Sequence, residues 1–263
     1  MKGTDAMTSA QLLILRCVVA AGVAGLLVGC GTERARLSNP RVLTAPYDSE
    51  KGELLWGVAP LRNESGTTVV NAMSVTDALT HAIEQVRGIR TVPVNRTIET
   101  MRSLDMHGIA TPADAKRLAQ AMGVDALVVG SITAWDPYDP PVIGLSLALH
   151  ADPGVLVGRR GELDAQRLTR LSTEYDPAAR SRYLARPVTV ASDVLDARDH
   201  GVLLELREFA DGRADPESAL GWRVYTASME LYTQFASYHA VRTLLDQEWV
   251  RLARVSEAAN ATD

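Results

Sequence analysis

The run at 123–149 is the most apolar segment of the chain after its N-terminus. Between positions 124 and 135 it is rich in Val, Ile and Thr and is bounded by Gly and Pro, which predicts a buried strand. The segment Asp-Pro-Tyr-Asp-Pro-Pro at 136–141 breaks it, because proline removes a backbone donor and pushes the preceding residue to extended geometry. Beyond the break, Ile143, Leu145, Leu147 and Leu149 alternate with Gly144, Ser146 and Ala148, so a second strand with one apolar and one small-residue face is expected beside the first.

Upstream, 53–60 has strand character and ends at Pro60, and 61–67 is polar enough for a turn. Met73, Val75, Leu79, Ala82, Ile83 and Val86 recur at helical intervals over 71–86. A short strand is predicted at 90–94. Asn95 is expected to cap a helix carrying Ile98, Met101 and Leu104 and ending near His107 and Gly108. Thr111 and Pro112 open another, with Ala115, Leu118, Ala119 and Met122 on its buried face and Gly123 as its stop. Residues 151–191, with several Gly and Arg and the prolines of Tyr175-Asp-Pro177 and Arg186-Pro187 among them, read as loop with short elements. From Ser192 the apolar positions Val194, Leu195, Val202, Leu203, Leu206 and Phe209 predict helix interrupted at Gly201. A long helix is expected over 216–255, with Asp215 as its cap. The fold class predicted is α/β (α+β): a small mixed sheet flanked by helices, then a helical C-terminal extension with a long amphipathic helix.

That last helix holds Trp222, Tyr225, Tyr232, Phe235, Tyr238 and Trp249, much of the aromatic content of the chain. Its stripe suits docking onto the preceding domain or, alternatively, a partner or oligomer surface.

The 263 residues are 46% apolar and 22% charged, enough to bury a core. A net charge of −5, with no basic run, excludes a nucleic-acid surface, which needs concentrated Lys and Arg. The N-terminus adds an address. Lys2 and Arg16 precede about a dozen apolar residues, too few for a membrane span of roughly 20, and the run closes on Leu27-Val-Gly-Cys30. That pattern resembles a bacterial lipoprotein lipobox. The resemblance implies cleavage between Gly29 and Cys30 and a diacylglycerol thioether with N-acylation on Cys30; the alternative is an ordinary signal peptide or signal anchor with a coincidental Cys. Gly31 after the lipidated residue implies outer-membrane sorting, facing the periplasm. Of two cysteines, one falls in the discarded signal and the other is lipidated, so no disulfide or cysteine metal site is expected. The organisation expected is a signal peptide at 1–29, a lipidated tether at 30–52, an α/β domain at 53–150, an irregular connection at 151–191 and a helical region at 192–263.

Four pieces carry a second resemblance: Leu-Trp-Gly-Val-Ala-Pro-Leu-Arg-Asn-Glu-Ser-Gly at 55–66, Asp-Ala-Leu-Thr at 77–80, Val-Pro-Val-Asn-Arg at 92–96, and the stretch at 115–133 with its Gly-Val-Asp-Ala-Leu-Val-Val-Gly-Ser. Together they resemble the periplasmic domain shared by the curli-secretion lipoprotein CsgG, the penicillin-binding-protein activator LpoB and TolB-type N-terminal domains. The resemblance implies a common fold and an envelope location, and no catalytic signature to carry over.

Catalytic chemistry is not indicated by spacing. His81, His107, His150, His200 and His239 are dispersed without metal-ligand spacing, and there is no nucleophile elbow, phosphate-binding loop or dinucleotide fingerprint. Asp136 and Asp139 suit turn formation, and Asp196 and Asp199 a solvated helical face. The function expected is a non-enzymatic interaction or assembly module, with no cofactor, tethered to the membrane through Cys30 and docking an envelope protein, with oligomers allowed. The alternative is a subunit of a CsgG-like secretion complex, although only 142–150 approaches the strand of about 9 to 11 residues that a barrel requires. Enzymatic hydrolysis through Asp136 or Asp139 is a third reading that no spacing favours. Candidate partner contacts are Asn63, Glu64, Trp135, Tyr138, Tyr232 and Tyr238.

Overall fold

A computed structural model describes residues 39–47, 52–151, 154–156, 187–215 and 217–260. Its elements are β1 Leu54–Val58, β2 Arg62–Asn63, α1 Ala72–Glu84, β3 Ile89–Thr91, α2 Val94–Ser103, α3 Pro112–Met122, β4 Ala126–Asp136, β5 Val142–Ala151, β6 Thr189–Asp196, α4 His200–Ala210, α5 Val224–Ala227 and α6 Met229–Asn260. Cys30, the lipobox, the tether up to residue 38 and most of 151–191 lie outside the described residues.

The predicted strand pair forms the middle of the sheet. β4 and β5 run antiparallel, the sheet order is β3-β1-β4-β5-β6, and β2 pairs with β4 beyond the end of β1. β3, β1 and β4 are mutually parallel, so the helices between them cross over the sheet. Alternation along β4 sends Val128 to the larger core and Leu127 to a smaller one, where it meets Met101, Ala115 and Leu118 under α2 and α3. The larger core lies on the other face, where Leu145, Leu147 and Leu149 pack with the apolar residues of α1, α4 and α6.

The Gly-Val-Asp stretch closes one crossover. Gly123, at φ 66°, ends α3 in the left-handed conformation that glycine adopts without a Cβ clash. Two residues on, the Asp125 carboxylate accepts the Leu55 N–H at 2.7 Å and its own N–H donates to the Leu55 carbonyl at 2.8 Å, locking β1 to the start of β4. Thr111 and Asp114 form the reciprocal capping box that starts α3, with Pro112 in the tolerated first turn.

Five local expectations are corrected. Residues 62–63, predicted as turn, form β2 because the backbone past Pro60 still reaches β4. Asn95 lies inside α2, whose N-cap is Pro93; its side chain accepts only from the adjacent Arg96 N–H. Ser192, Val194 and Leu195, predicted helical, are in β6, where Ala191 and Leu195 face the core while Val194 is 60% exposed. Asp196 therefore ends a strand, and Asp199 caps α4 by accepting from the Gly201 N–H, so the two do not share a helical face. The last helix starts at Met229, not Pro216: Ser228 is extended and its hydroxyl accepts from the Leu231 N–H, while Asp215 closes a separate turn with Glu217 and Ser218.

Candidate docking groove

α6 is buried on most sides around its middle, with residues 235–241 all inside. An unbroken buried run of this kind marks a helix enclosed by its neighbours. Two charged clusters hold it there. On one side the His239 ring donates from Nε2 to Asp193 of β6 at 3.2 Å and from Nδ1 to Glu205 of α4 at 2.6 Å, and Arg242 also donates to Glu205 at 2.6 Å. Burial pulls the His239 pKa down, but the hydrogen bonds to Asp193 and Glu205 outweigh it and the imidazolium is held above its ordinary range. The same bonds from His239 hold both carboxyls below theirs. On the other side, the fully buried Glu248 accepts from Tyr47, Thr189 and Arg251. Burial, then the Glu248 charge, drives the Tyr47 hydroxyl well above the usual phenol range. Neither cluster was legible from spacing, since its bonded partners lie between 34 and 201 positions apart along the chain apart from the in-helix pairs.

What α6 leaves open is a groove along α1. One part, 720 Å³ in volume, is lined by Val69, Val75, Asp77, Trp135, Met229 and Glu230, among others; a second part of 510 Å³ is lined by Arg41, Phe209, Arg213, Tyr225 and Tyr238, and the two share Ala78, His81 and Gln234. Both volumes lie within the range of about 300–1,000 Å³ that small-ligand pockets occupy. The lining follows from helix geometry: Asp77 and His81 of α1 and its C-cap Gln85 recur every fourth residue on one exposed side, and Glu230 and Gln234 do the same on α6. Such polar i, i+4 stripes were present in the sequence, yet they look like any solvated face until a second helix lies alongside.

The predicted contact residues divide. Trp135 lines the groove from β4, partly buried, and its indole N–H has no acceptor among the described residues. Tyr138 is 79% exposed in the proline corner, where the Asp136 carboxylate accepts its N–H as the turn reading requires. Asn63 and Glu64 are exposed but engaged locally: Asn63 donates to the Thr67 carbonyl and accepts from Ser65, and Glu64 pairs with Arg62 at 3.3 Å. Tyr232 is fully buried, donating to the Leu195 carbonyl, so it offers no surface to a partner. Tyr238 is also buried, stacked near Phe209 and Arg213, and only borders the groove. Both tyrosines thus follow the docking alternative for the aromatic stripe.

The fold and this cleft define a mixed α/β protein with helices on both sheet faces and an open interhelical groove. No family profile matches the chain, and no curated protein matches it. Among solved structures it is similar to the LpoB C-terminal domain from Salmonella enterica, at 17% identity over 52% of this chain and 84% of that one, with a TM-score of 0.33. A lipoprotein from Neisseria meningitidis is also 17% identical, over 58% and 92% of the two chains, with a TM-score of 0.34. The PelC dodecamer from Paraburkholderia phytofirmans is 10% identical over 76% and 96%, at 0.27. Likeness this slight carries no argument about partner or activity. Among the described residues no helix is long and apolar enough to cross a membrane, and no group of His, Cys, Asp and Glu is arranged to hold a metal ion.

Proposed function

We propose that the chain is a lipoprotein of the cell envelope, anchored at the periplasmic face of the outer membrane through Cys30, whose folded part acts without catalysis by docking another envelope protein. In this reading 1–29 is the signal peptide and the tether starts at Cys30 but is shorter than the 30–52 expected, because Ala45 and Tyr47 are buried in the core and Tyr47 bonds Glu248. The observation that carries the docking role is the groove between α1 and α6: it is open and partly apolar, while the charged clusters beside it are engaged in holding α6. Two or three acyl chains at about 0.8 kcal/mol per buried CH₂ supply a stable anchor.

The test uses the full chain in cells of its host. A photocrosslinking residue at Gln234, exposed in the groove, is expected to form one discrete adduct that Ala78→Trp abolishes; the same residue at Arg117, exposed on α3, is expected to form none. Equal adducts at both positions refute docking in the groove. Cys30→Ala is expected to release the protein from the membrane fraction, and retention there refutes the lipid anchor. A ring-sized particle in mild detergent would transfer the reading to a subunit of a secretion complex.

A further inference from the structure

The groove's two ends differ in what its charged side chains already hold. At one end Arg41 pairs with Glu208 at 3.0 Å, and Arg213 donates to the Phe209 and Arg41 carbonyls while its guanidinium lies over the Phe209 and Tyr238 rings. Those cations are satisfied. At the other end Asp77 of α1 and Glu230 of α6 line the same 720 Å³ cleft, and neither makes a hydrogen bond or an ion pair among the described residues. Val69, 72% exposed, Val75, Ala78, Met229 and Trp135 line the same cleft. Two uncompensated carboxylates beside an apolar floor repel each other weakly and gain most from a cation that carries apolar groups with it.

We infer that the Trp135 end of the groove binds a short extended segment of a partner protein that presents one Arg or Lys between Asp77 and Glu230, with apolar side chains on either side of it. This rests on the docking reading and names the partner's chemistry. The Trp135 part of the groove is lined along α1 from its cap Asn71 to His81, roughly 15 Å at 1.5 Å per residue, so about four or five extended residues span it and a hexapeptide covers it. A long stem suits the floor, since Arg and Lys lay their methylenes on apolar surface while the charge stays at the polar edge. The acidic end selects against an acidic segment by repulsion as strongly as it attracts a basic one.

The probe is a fluorescein-labelled, amidated hexapeptide with one Arg flanked by Leu, titrated into the full chain in mild detergent, with empty micelles as the blank. Saturable binding is expected. It should weaken at least tenfold with the Asp77→Asn, Glu230→Gln double variant, fail when Glu replaces the peptide's Arg, and weaken as salt rises. Both substituted side chains are exposed, so circular dichroism and the thermal midpoint should stay those of the parent. Equal binding by a peptide with citrulline in place of Arg, or by the double variant, overturns the inference. So does a self-association that the double variant abolishes, because it would seat a second copy in the groove. If the Gln234 adduct forms in cells while the peptide fails here, the docking module stands and the basic segment falls.

Discussion

Glu248→Ala removes the one carboxylate on which three parts of the chain converge. Its side chain has 0% exposure and accepts the Tyr47 hydroxyl at 3.0 Å, the Thr189 hydroxyl, and two Arg251 N–H groups at 2.8 Å each. Arg251, 15% exposed at its side chain, donates onward to the Leu156 carbonyl. Deleting one member of a buried ion pair costs about 3–5 kcal/mol because the remaining charge is poorly hydrated. A hydroxyl deprived of its charged acceptor adds about 1–3 kcal/mol, and the contributions overlap because they share one group. The expected loss is therefore about 4–5 kcal/mol for Glu248→Ala and about 1.5 kcal/mol for Tyr47→Phe, which removes one donor and its desolvation together. In a fold of this size each kcal/mol moves the thermal midpoint by about 2–4 °C, so the Ala variant should melt roughly 8–20 °C lower. Urea unfolding followed by far-ultraviolet circular dichroism reads both variants. A loss below about 1 kcal/mol for Glu248→Ala, or a loss for Tyr47→Phe that exceeds the loss for Glu248→Ala, refutes the hub, since buried-pair energetics demand the opposite order. Replacing the pair as Glu248→Met with Arg251→Leu should recover most of the loss, because a well-packed apolar pair avoids the desolvation that the charges carry.

The His239 cluster predicts a pH window. A histidine whose folded pKa is raised contributes stability that is complete below its unfolded value of 6.5 and lost as pH climbs through the folded value, whereas the lowered Asp193 and Glu205 contribute above 3.8 and 4.5 and lose it as pH falls. Their joint contribution is greatest between 4.5 and 6.5. His150, lowered by burial, has the opposite slope near neutrality, so the wild type must be compared with His239→Gln by denaturant titration; the difference between them should shrink as pH rises, and a constant difference would count against the ion cluster. Gly130→Ala should cost about 2–3 kcal/mol, because the added Cβ meets the Ser146 carbonyl oxygen of the paired strand at 2.5 Å and Leu147 Cδ2 at 2.8 Å, and backbone cannot rotate away. An unchanged urea midpoint for that variant would mean the β4–β5 pairing is looser than its register implies.

The sheet-and-helix class, the β4–β5 pair, its proline corner and the α3 cap were all determined by local pattern. Each is signalled within a few residues: the period-2 alternation over 142–149, the Thr111–Asp114 box, and the left-handed turn at Gly123. Local pattern failed where a distant neighbour set the outcome. Ser192 to Asp196 has helix-compatible spacing in isolation, yet pairing with β5 makes it an edge strand, and the chain beyond Pro216 waits for Ser228 before its long helix begins. The apolar stripe of α6 was visible, but whether it faced a partner or the core depended on α1, α4 and β6 closing around it, which buried Tyr232 and Tyr238. Likewise the polar stripes of Asp77 and Glu230 are ordinary solvated faces along each helix. Only the packing of α6 beside α1 sets them across one cleft, because charges that are remote in sequence interact through the distance that the tertiary structure decides.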